Sequence, residues 1–371
     1  MTLLRSSVGT KRGRSAGVFW ALWVVLLGLV AGCAQGANGA GPGVGSFDPA
    51  DALENPKDYE GPSTAMVAEA AIEPIAEKPE PALPAQVTDV QGTAVTVTDV
   101  SRILALDIYG TTSRIVFSLG LGENVVGRDT SSAFAEIKDR PRVTPSGNTL
   151  SAEAILELAP SVIITDTSLG PWDVLLQMRE AGIPVVVVDS HRSLETTGEL
   201  INQVAAAVGL VDEGQRLADR TSQLVVEAKA AIAPAIPAAD EAKLRIAFLY
   251  LRGSAGVYYL FGHGSGTDSL ITAVGGIDVA TEVGWEGMQP VTDEGLVAMN
   301  PDLILVMTRG LESVGGVDGL LEKLPAVAAT PAGIKRRIVD MDDTQILAFG
   351  PNSPEVLYAL AAAIYAPDGR R

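Results

Sequence analysis

The run Arg245-Ile-Ala-Phe-Leu-Tyr250-Leu-Arg252 closes an apolar stretch with a tyrosine and an arginine two residues apart. If the run is a strand, residues two apart share one face, so a phenol and a guanidinium emerge side by side where it leaves the core. A fixed cation beside a phenol favours the phenolate, a hard anionic ligand suited to ferric iron, including haem iron. The competing reading is a strand-end tyrosine whose hydroxyl simply meets water.

Few other side chains could join such chemistry. Only two histidines occur, His191 after an apolar Val-Val-Val-Val run and His263 in the glycine-rich turn Gly262-His-Gly-Ser-Gly266. Each could reach a metal. The His263 turn could also offer backbone amides and a helix N-terminus to a carboxylate or phosphate, or be a tight turn that needs glycine freedom. Met307 ends another apolar run, where a thioether could approach iron or only line an apolar cleft. Tyr258, Trp285 and Met288 could pack against a flat ligand or belong to the core. Arg252 and Arg309 carry guanidinium forks that suit carboxylates, unless both are solvated. There is no Gly-x-Ser-x-Gly elbow, no His-Glu-x-x-His and no clustered His or Cys set, which argues against a hydrolase or a metalloenzyme.

The chain has 371 residues, 47% hydrophobic and 19% charged, enough for two compact domains. Arg5, Lys11, Arg12 and Arg14 precede an apolar segment, residues 16–30, that ends in Leu29-Val-Ala-Gly-Cys33. A basic start, a short apolar stretch and small residues before a cysteine describe a secretory signal, residues 1–32. Cys33, the sole cysteine, then carries a lipid that holds the protein to the outer face of the cytoplasmic membrane; an uncleaved anchor would attach it similarly. Cleavage removes four basic and no acidic side chains, taking the formal charge from −18 to −22. So acidic a surface repels nucleic acid. Residues 33–95 are rich in Pro, Ala, Gly and Glu without an apolar period, as expected of a flexible tether.

Beyond the tether, short apolar runs alternate with helical segments, which implies parallel sheets buried on both faces. Two blocks repeat. Gly110-Thr-Thr-Ser parallels Gly266-Thr-Asp-Ser at an offset of 156, and Ser151-Ala-Glu153 with Pro160 parallels Thr292-Asp-Glu294 with Pro301 at an offset of 141. Between the copies, residues 212–234 carry Leu217, Thr221, Leu224, Val225, Ala228 and Ile232 at helical spacing. The expected fold is α/β: two Rossmann-like lobes with parallel sheets, residues 96–211 and 235–371, joined by one long helix. Ligands of such sheets sit at the carboxyl ends of the strands, here in a cleft between the lobes.

This arrangement resembles the helical-backbone (class III) solute-binding proteins of ABC importers, whose ligands are cobalamin, ferric siderophores or haem. Tyr250-Leu-Arg252-Gly, Tyr258-Tyr-Leu-Phe-Gly-His263, Val306-Met-Thr-Arg309-Gly and Val339-Asp-Met-Asp-Asp are similar to segments of actinobacterial haem-binding lipoproteins, over about residues 100–365. The resemblance implies that Tyr250 ligates haem iron and that Arg252 hydrogen-bonds the phenolate. It implies too that Glu153 and Glu294 meet arginines on the two permease subunits of an importer driven by an ATPase, with the binding protein a monomer and not an enzyme. Two positions depart from the family. Asn148 stands where the family has its axial histidine, so the second axial position is empty, water-filled or taken by another residue. Asn352 stands where the family has a cleft arginine. A siderophore or corrinoid binder of the same fold, or a surface haem chaperone or sensor, are the alternatives.

Overall fold

A computed structural model describes residues 47–68, 70–253 and 257–368; Cys33 and the signal segment lie outside them. The expected tether is corrected for residues 47–95. Phe47, Pro56 and Ala65 are buried, and β1 (Ser63–Ala65) pairs in parallel with an edge strand from the far end of the chain, Ser63 opposite Val339. β2 (Ala85–Thr88) and β3 (Ala94–Val97) form an antiparallel hairpin. Between these strands the segment straps the body. The Ile72 amide donates to Glu136 Oε1 (2.7 Å), the Ile75 amide to the Ser118 carbonyl (2.7 Å), and Arg220 to the Glu73 carbonyl (2.9 Å). Edge pairing recruits backbone groups, so three- and four-residue strands form where no hydrophobic period announces them.

The N-terminal lobe is built on β4 (Ile103–Leu106), β5 (Val162–Thr165) and β6 (Val185–Val187), parallel, adjacent in that order and buried throughout. Its helices are α1 (Thr111–Ser118), α2 (Ala152–Glu157), α3 (Trp172–Glu180) and α4 (Thr197–Ala207). The linking helix α5 (Val211–Ile232) packs on α4 and on the C-terminal helix Ser353–Tyr365. Its 22 residues at ~1.5 Å each span about 33 Å, the width of a small domain.

The C-terminal lobe holds β7 (Arg245–Arg252), β8 (Val257–Phe261), β9 (Ile277–Asp278), β10 (Met288–Pro290), β11 (Leu303–Met307) and β12 (Ile338–Met341), with α6 (Thr267–Ala273), α7 (Val279–Glu282) and α8 (Asp293–Met299) among its helices. The sheet runs β1-β12-β11-β7-β8-β10, with β9 also on β7. β1, β12, β11, β7 and β9 are parallel, whereas β8 is antiparallel to β7 and to β10. The parallel sheets expected of both lobes are present, and β8 adds an antiparallel return to the second. Too few residues separate β7 from β8 for a crossover, so the chain returns as a hairpin.

The duplication extends to backbone detail. Gly110 and Gly266 N-cap α1 and α6 with φ of +73° and +89°. Ser151 and Thr292 cap α2 and α8 through their hydroxyls, and Ala159 and Asn300, each just before a proline, take φ of +41° and +50°. Arg102 donates to the Leu158 carbonyl and Arg245 to that of Met299, so each lobe fastens the end of this helix with an arginine at the start of a strand. The lobes meet in a seam: the Thr111 hydroxyl donates to the Ala348 carbonyl, the Leu194 amide to Ser269 Oγ (3.2 Å), and Gly266 abuts the Arg192 carbonyl with no room for a Cβ.

Gly120 closes α1 at φ +94°, where a Cβ would strike the Ala76 carbonyl of the strap. Gly120→Ala is expected to cost about 2 kcal/mol or more and to lower the urea midpoint at unchanged slope. An unchanged midpoint would mean that the strap is not seated on α1.

Candidate ligand cleft

Alternation along β7 and β8 decides which side chains reach the cleft. Tyr250 lies opposite Tyr259, and Phe248 opposite Phe261, all on one face. The Tyr250 ring stacks on Phe261 (centroids 6.1 Å, 21° between planes), which contacts Phe248 at 5.0 Å, and Tyr259 stands 6.5 Å from Tyr250. Met307 lies half-buried on the same face, and the same packing group takes in Tyr109 and Leu194 of the N-terminal lobe. The result is a half-buried aromatic and thioether surface at the carboxyl ends of β7 and β11, turned toward the other lobe.

Within it, the Tyr250 hydroxyl has no hydrogen-bond partner among the described residues. Arg252 is exposed, and its guanidinium carbon lies 5.7 Å from the Tyr250 ring centroid. It therefore touches the ring, with no hydrogen bond between it and the phenol oxygen. The two residues do share one face, as their spacing predicts.

The wall provided by the N-terminal lobe is organised by buried charge that the sequence reading missed. β4 and β5 each run into an aspartate, Asp107 and Asp166, and both carboxylates face Arg192, whose guanidinium is 3.4 Å from Asp107 and 2.7 Å from Asp166. Asp107 also accepts the amides of Tyr109, Thr111 and Thr112 at the start of α1. Asp129 accepts the Asp107 amide and both the amide and hydroxyl of Ser132. All four charged groups are buried. Burial and the nearby Asp107 charge push Asp129 up to about 7 and Asp166 up to about 6. The apolar run ending in an aspartate, seen at Asp107, Asp166 and Asp189, was the legible signal. Above this cluster Arg192 lies over the Tyr109 ring at 5.3 Å.

The other candidates scatter. Asn148 sits half-exposed in a turn between Ser146 and Thr149 of the N-terminal lobe. Tyr258, one residue out of phase with Tyr259, packs with Trp285 into the core on the opposite face of the sheet. Neither joins Tyr250, because a one-residue step along a strand reverses the face. Exposed His263 pairs with Asp268 (3.3 Å) and exposed His191 with Asp189 (2.7 Å). Met288 is exposed on β10. Arg309 and Asn352 line a separate cavity of about 690 Å³ under the strap, with Arg114, Arg220 and Glu355; Tyr250, Tyr259 and Met307 do not line it. Asn352 donates to Gln345 Oε1 (3.0 Å). Glu153 and Glu294 are exposed at the second position of α2 and α8. Among the described residues, no group of three or more His, Cys, Asp or Glu side chains could hold a bare metal ion, and no helix is long and apolar enough to cross a membrane.

A profile of periplasmic binding proteins matches residues 108–344. Among solved structures, the haem-binding protein HmuT is 40% identical, with a TM-score of 0.78, over 84% of this chain and 99% of its own. The apo form of the periplasmic haem-binding protein RhuT from Roseiflexus sp. RS-1 is 37% identical, with a TM-score of 0.64, over 71% and 98%. The uncharacterised ABC transporter substrate-binding lipoprotein YvrC of Bacillus subtilis (strain 168) is 24% identical over 260 residues, 69% of this chain and 77% of the relative.

The aspartate cluster sets a pH dependence. A carboxyl raised in the folded state binds its proton more tightly there than in the unfolded chain, so its contribution is complete at acid pH and is lost as pH rises through the folded value, about 7 for Asp129. Stability measured by urea unfolding should fall between pH 5 and pH 8, and Asp129→Asn should flatten that fall. Equal slopes for the two proteins would remove Asp129 as its source.

Proposed function

The chain belongs to the periplasmic binding protein family, and on that footing we propose that it captures haem between its lobes and delivers it to an ABC import permease and its ATPase. In this reading a lipid on Cys33 holds it, as a monomer, to the outer face of the cytoplasmic membrane. Proteins of this kind bind and hand over solutes and are not enzymes. The observation that carries the reading is Tyr250: a phenol whose oxygen has no partner among the described residues, its ring braced by Phe261 and Tyr259, with a guanidinium alongside.

Each part has a physical counterpart in haem. The aromatic and thioether surface of Tyr259, Phe261 and Met307 suits a flat apolar macrocycle. The phenol supplies an anionic oxygen to ferric iron, and the Arg252 charge favours its ionised form. Arg252 makes no ion pair among the described residues, which leaves its fork free for a carboxylate of the ligand. Asn148 offers an amide where an imidazole would bind, so Tyr250 is the sole protein ligand to the iron.

Titration with hemin is expected to give a high-spin ferric spectrum of phenolate type. Tyr250→Phe should abolish that spectrum and weaken binding at least about tenfold, or about 1.4 kcal/mol; a variant that keeps the wild-type spectrum would exclude tyrosine ligation. Asn148→His should convert part of the population to a six-coordinate form and slow hemin loss about tenfold. An unchanged spectrum and dissociation rate would show that position 148 does not face the iron.

A further inference from the structure

The cavity of about 690 Å³ under the strap has its own walls and its own charge, and the capture of haem at Tyr250 uses neither. Arg114 of α1, Arg220 of α5 and Arg309 of the C-terminal lobe line it, and the strap covers it with Ala70, Ala71 and Ile72. Arg114 decides what such a space can hold. Its guanidinium lies over the Phe134 ring at 4.5 Å and makes no hydrogen bond or ion pair among the described residues. Burial pushes it below the ordinary guanidinium value, as happens to a cation taken out of water without a counter-ion. Two carboxylates act on it through space, and neither is bonded to it. Glu136 accepts the Ile72 amide of the strap. Glu355, in the first turn of the C-terminal helix, acts on both Arg114 and Arg220 but forms an ion pair with neither. One of its carboxylate oxygens is buried without a hydrogen-bond partner, and burial pushes the carboxyl up, which makes it a poor counter-ion. Exposed Arg309 adds a second guanidinium with no ion pair among the described residues.

We infer that this cavity is a second binding site, distinct from the haem cleft, for a small organic acid whose carboxylate meets Arg114 and whose apolar body lies beneath the strap. A carboxylate is the planar partner that a guanidinium fork grips with two parallel hydrogen bonds. The apolar part of the lining, with Ile72, Phe134, Leu224 and Met341, favours an acid with a hydrophobic body over a bare inorganic ion, whose hydration the walls cannot replace. A cavity of this size, mostly apolar with a few convergent polar groups, is what small-molecule sites share. Tyr250, Tyr259 and Met307 do not line it, so its occupation needs neither iron nor the phenol. The inference goes beyond the haem reading and does not depend on it.

The test is equilibrium dialysis of the purified lipoprotein against naphthoate, with naphthamide as the same body without the charge and acetate as the charge without the body. Naphthoate should bind saturably, one per chain, and at least about tenfold more tightly than either control. Arg114→Met should weaken it at least about tenfold, and Leu224→Trp, which fills the cavity from α5, should do the same. Both variants should keep the wild-type urea midpoint and hemin spectrum, which separates a lost site from a lost fold, and Tyr250→Phe should bind naphthoate as the wild type does. Absence of saturable binding at millimolar naphthoate, equal affinity for acid and amide, or wild-type affinity in a folded Arg114→Met would each overturn the inference. Displacement of naphthoate by hemin would overturn it too, by making the cavity part of the haem cleft, and would leave the haem reading standing.

Discussion

Arg192 is the residue on which both the charge balance and the relation of the lobes depend. Its guanidinium, 2% exposed, is the cation that faces Asp107 and Asp166. Removing one partner from a buried pair of this kind costs about 3–5 kcal/mol, because the remaining charge is left in a medium that cannot solvate it. Its carbonyl, meanwhile, packs against Gly266 of the other lobe. Gly266 opens α6 and follows the turn that leaves β8, the strand bearing Tyr259 and Phe261. One residue therefore ties the carboxyl ends of β4 and β5 to the segment that braces Tyr250. The positive φ and missing side chain of Gly266 are what allow so close an approach.

With that relation fixed, the alternation of the C-terminal sheet distributes the rest. Phe248, Tyr250, Tyr259, Phe261 and Met307 fall on one face, and Leu251, Tyr258 and Trp285 on the other. The register Tyr250 opposite Tyr259 is the deciding quantity. A slip of one residue would bring Tyr258 to the cleft and turn Tyr259 into the opposite core. The antiparallel return of β8 also puts a second aromatic strand beside Tyr250, where a parallel crossover would have put a distant segment.

This explains which parts of the fold could be read in advance. Continuous apolar runs such as Ile103-Leu-Ala-Leu and Leu303-Ile-Leu-Val mark strands buried on both faces, and the linking helix was legible to within two residues because its stripe is long. The shared face of Tyr250 and Arg252 follows from period two alone. The strap did not announce itself, since β1 is held by backbone pairing to β12 and by few side chains. Nor did the choice between Tyr258 and Tyr259, which depends on hairpin register rather than residue type. The aspartate cluster was hidden in a different way. Asp107 and Asp166 are far apart in the chain, and only the sheet brings them onto Arg192, while Asp129 joins by accepting the Asp107 amide.

The contrast between satisfied and unsatisfied polar groups separates scaffold from site. Tyr365 is fully buried and its hydroxyl donates to the Val274 carbonyl at 2.7 Å; Thr330, equally buried, donates to the Val327 carbonyl and accepts the Gly333 amide. Such groups are held because leaving them unpaired in the interior is costly. Tyr250 and Arg252 carry the same chemistry without those obligations, at a half-buried edge where water covers the cost until something else replaces it. A phenol and a guanidinium kept side by side, with nothing among the described residues bonded to either oxygen or fork, add little to folding. Their value lies in what they can still bind, and the braced ring ensures that little conformational entropy remains to be lost when they do.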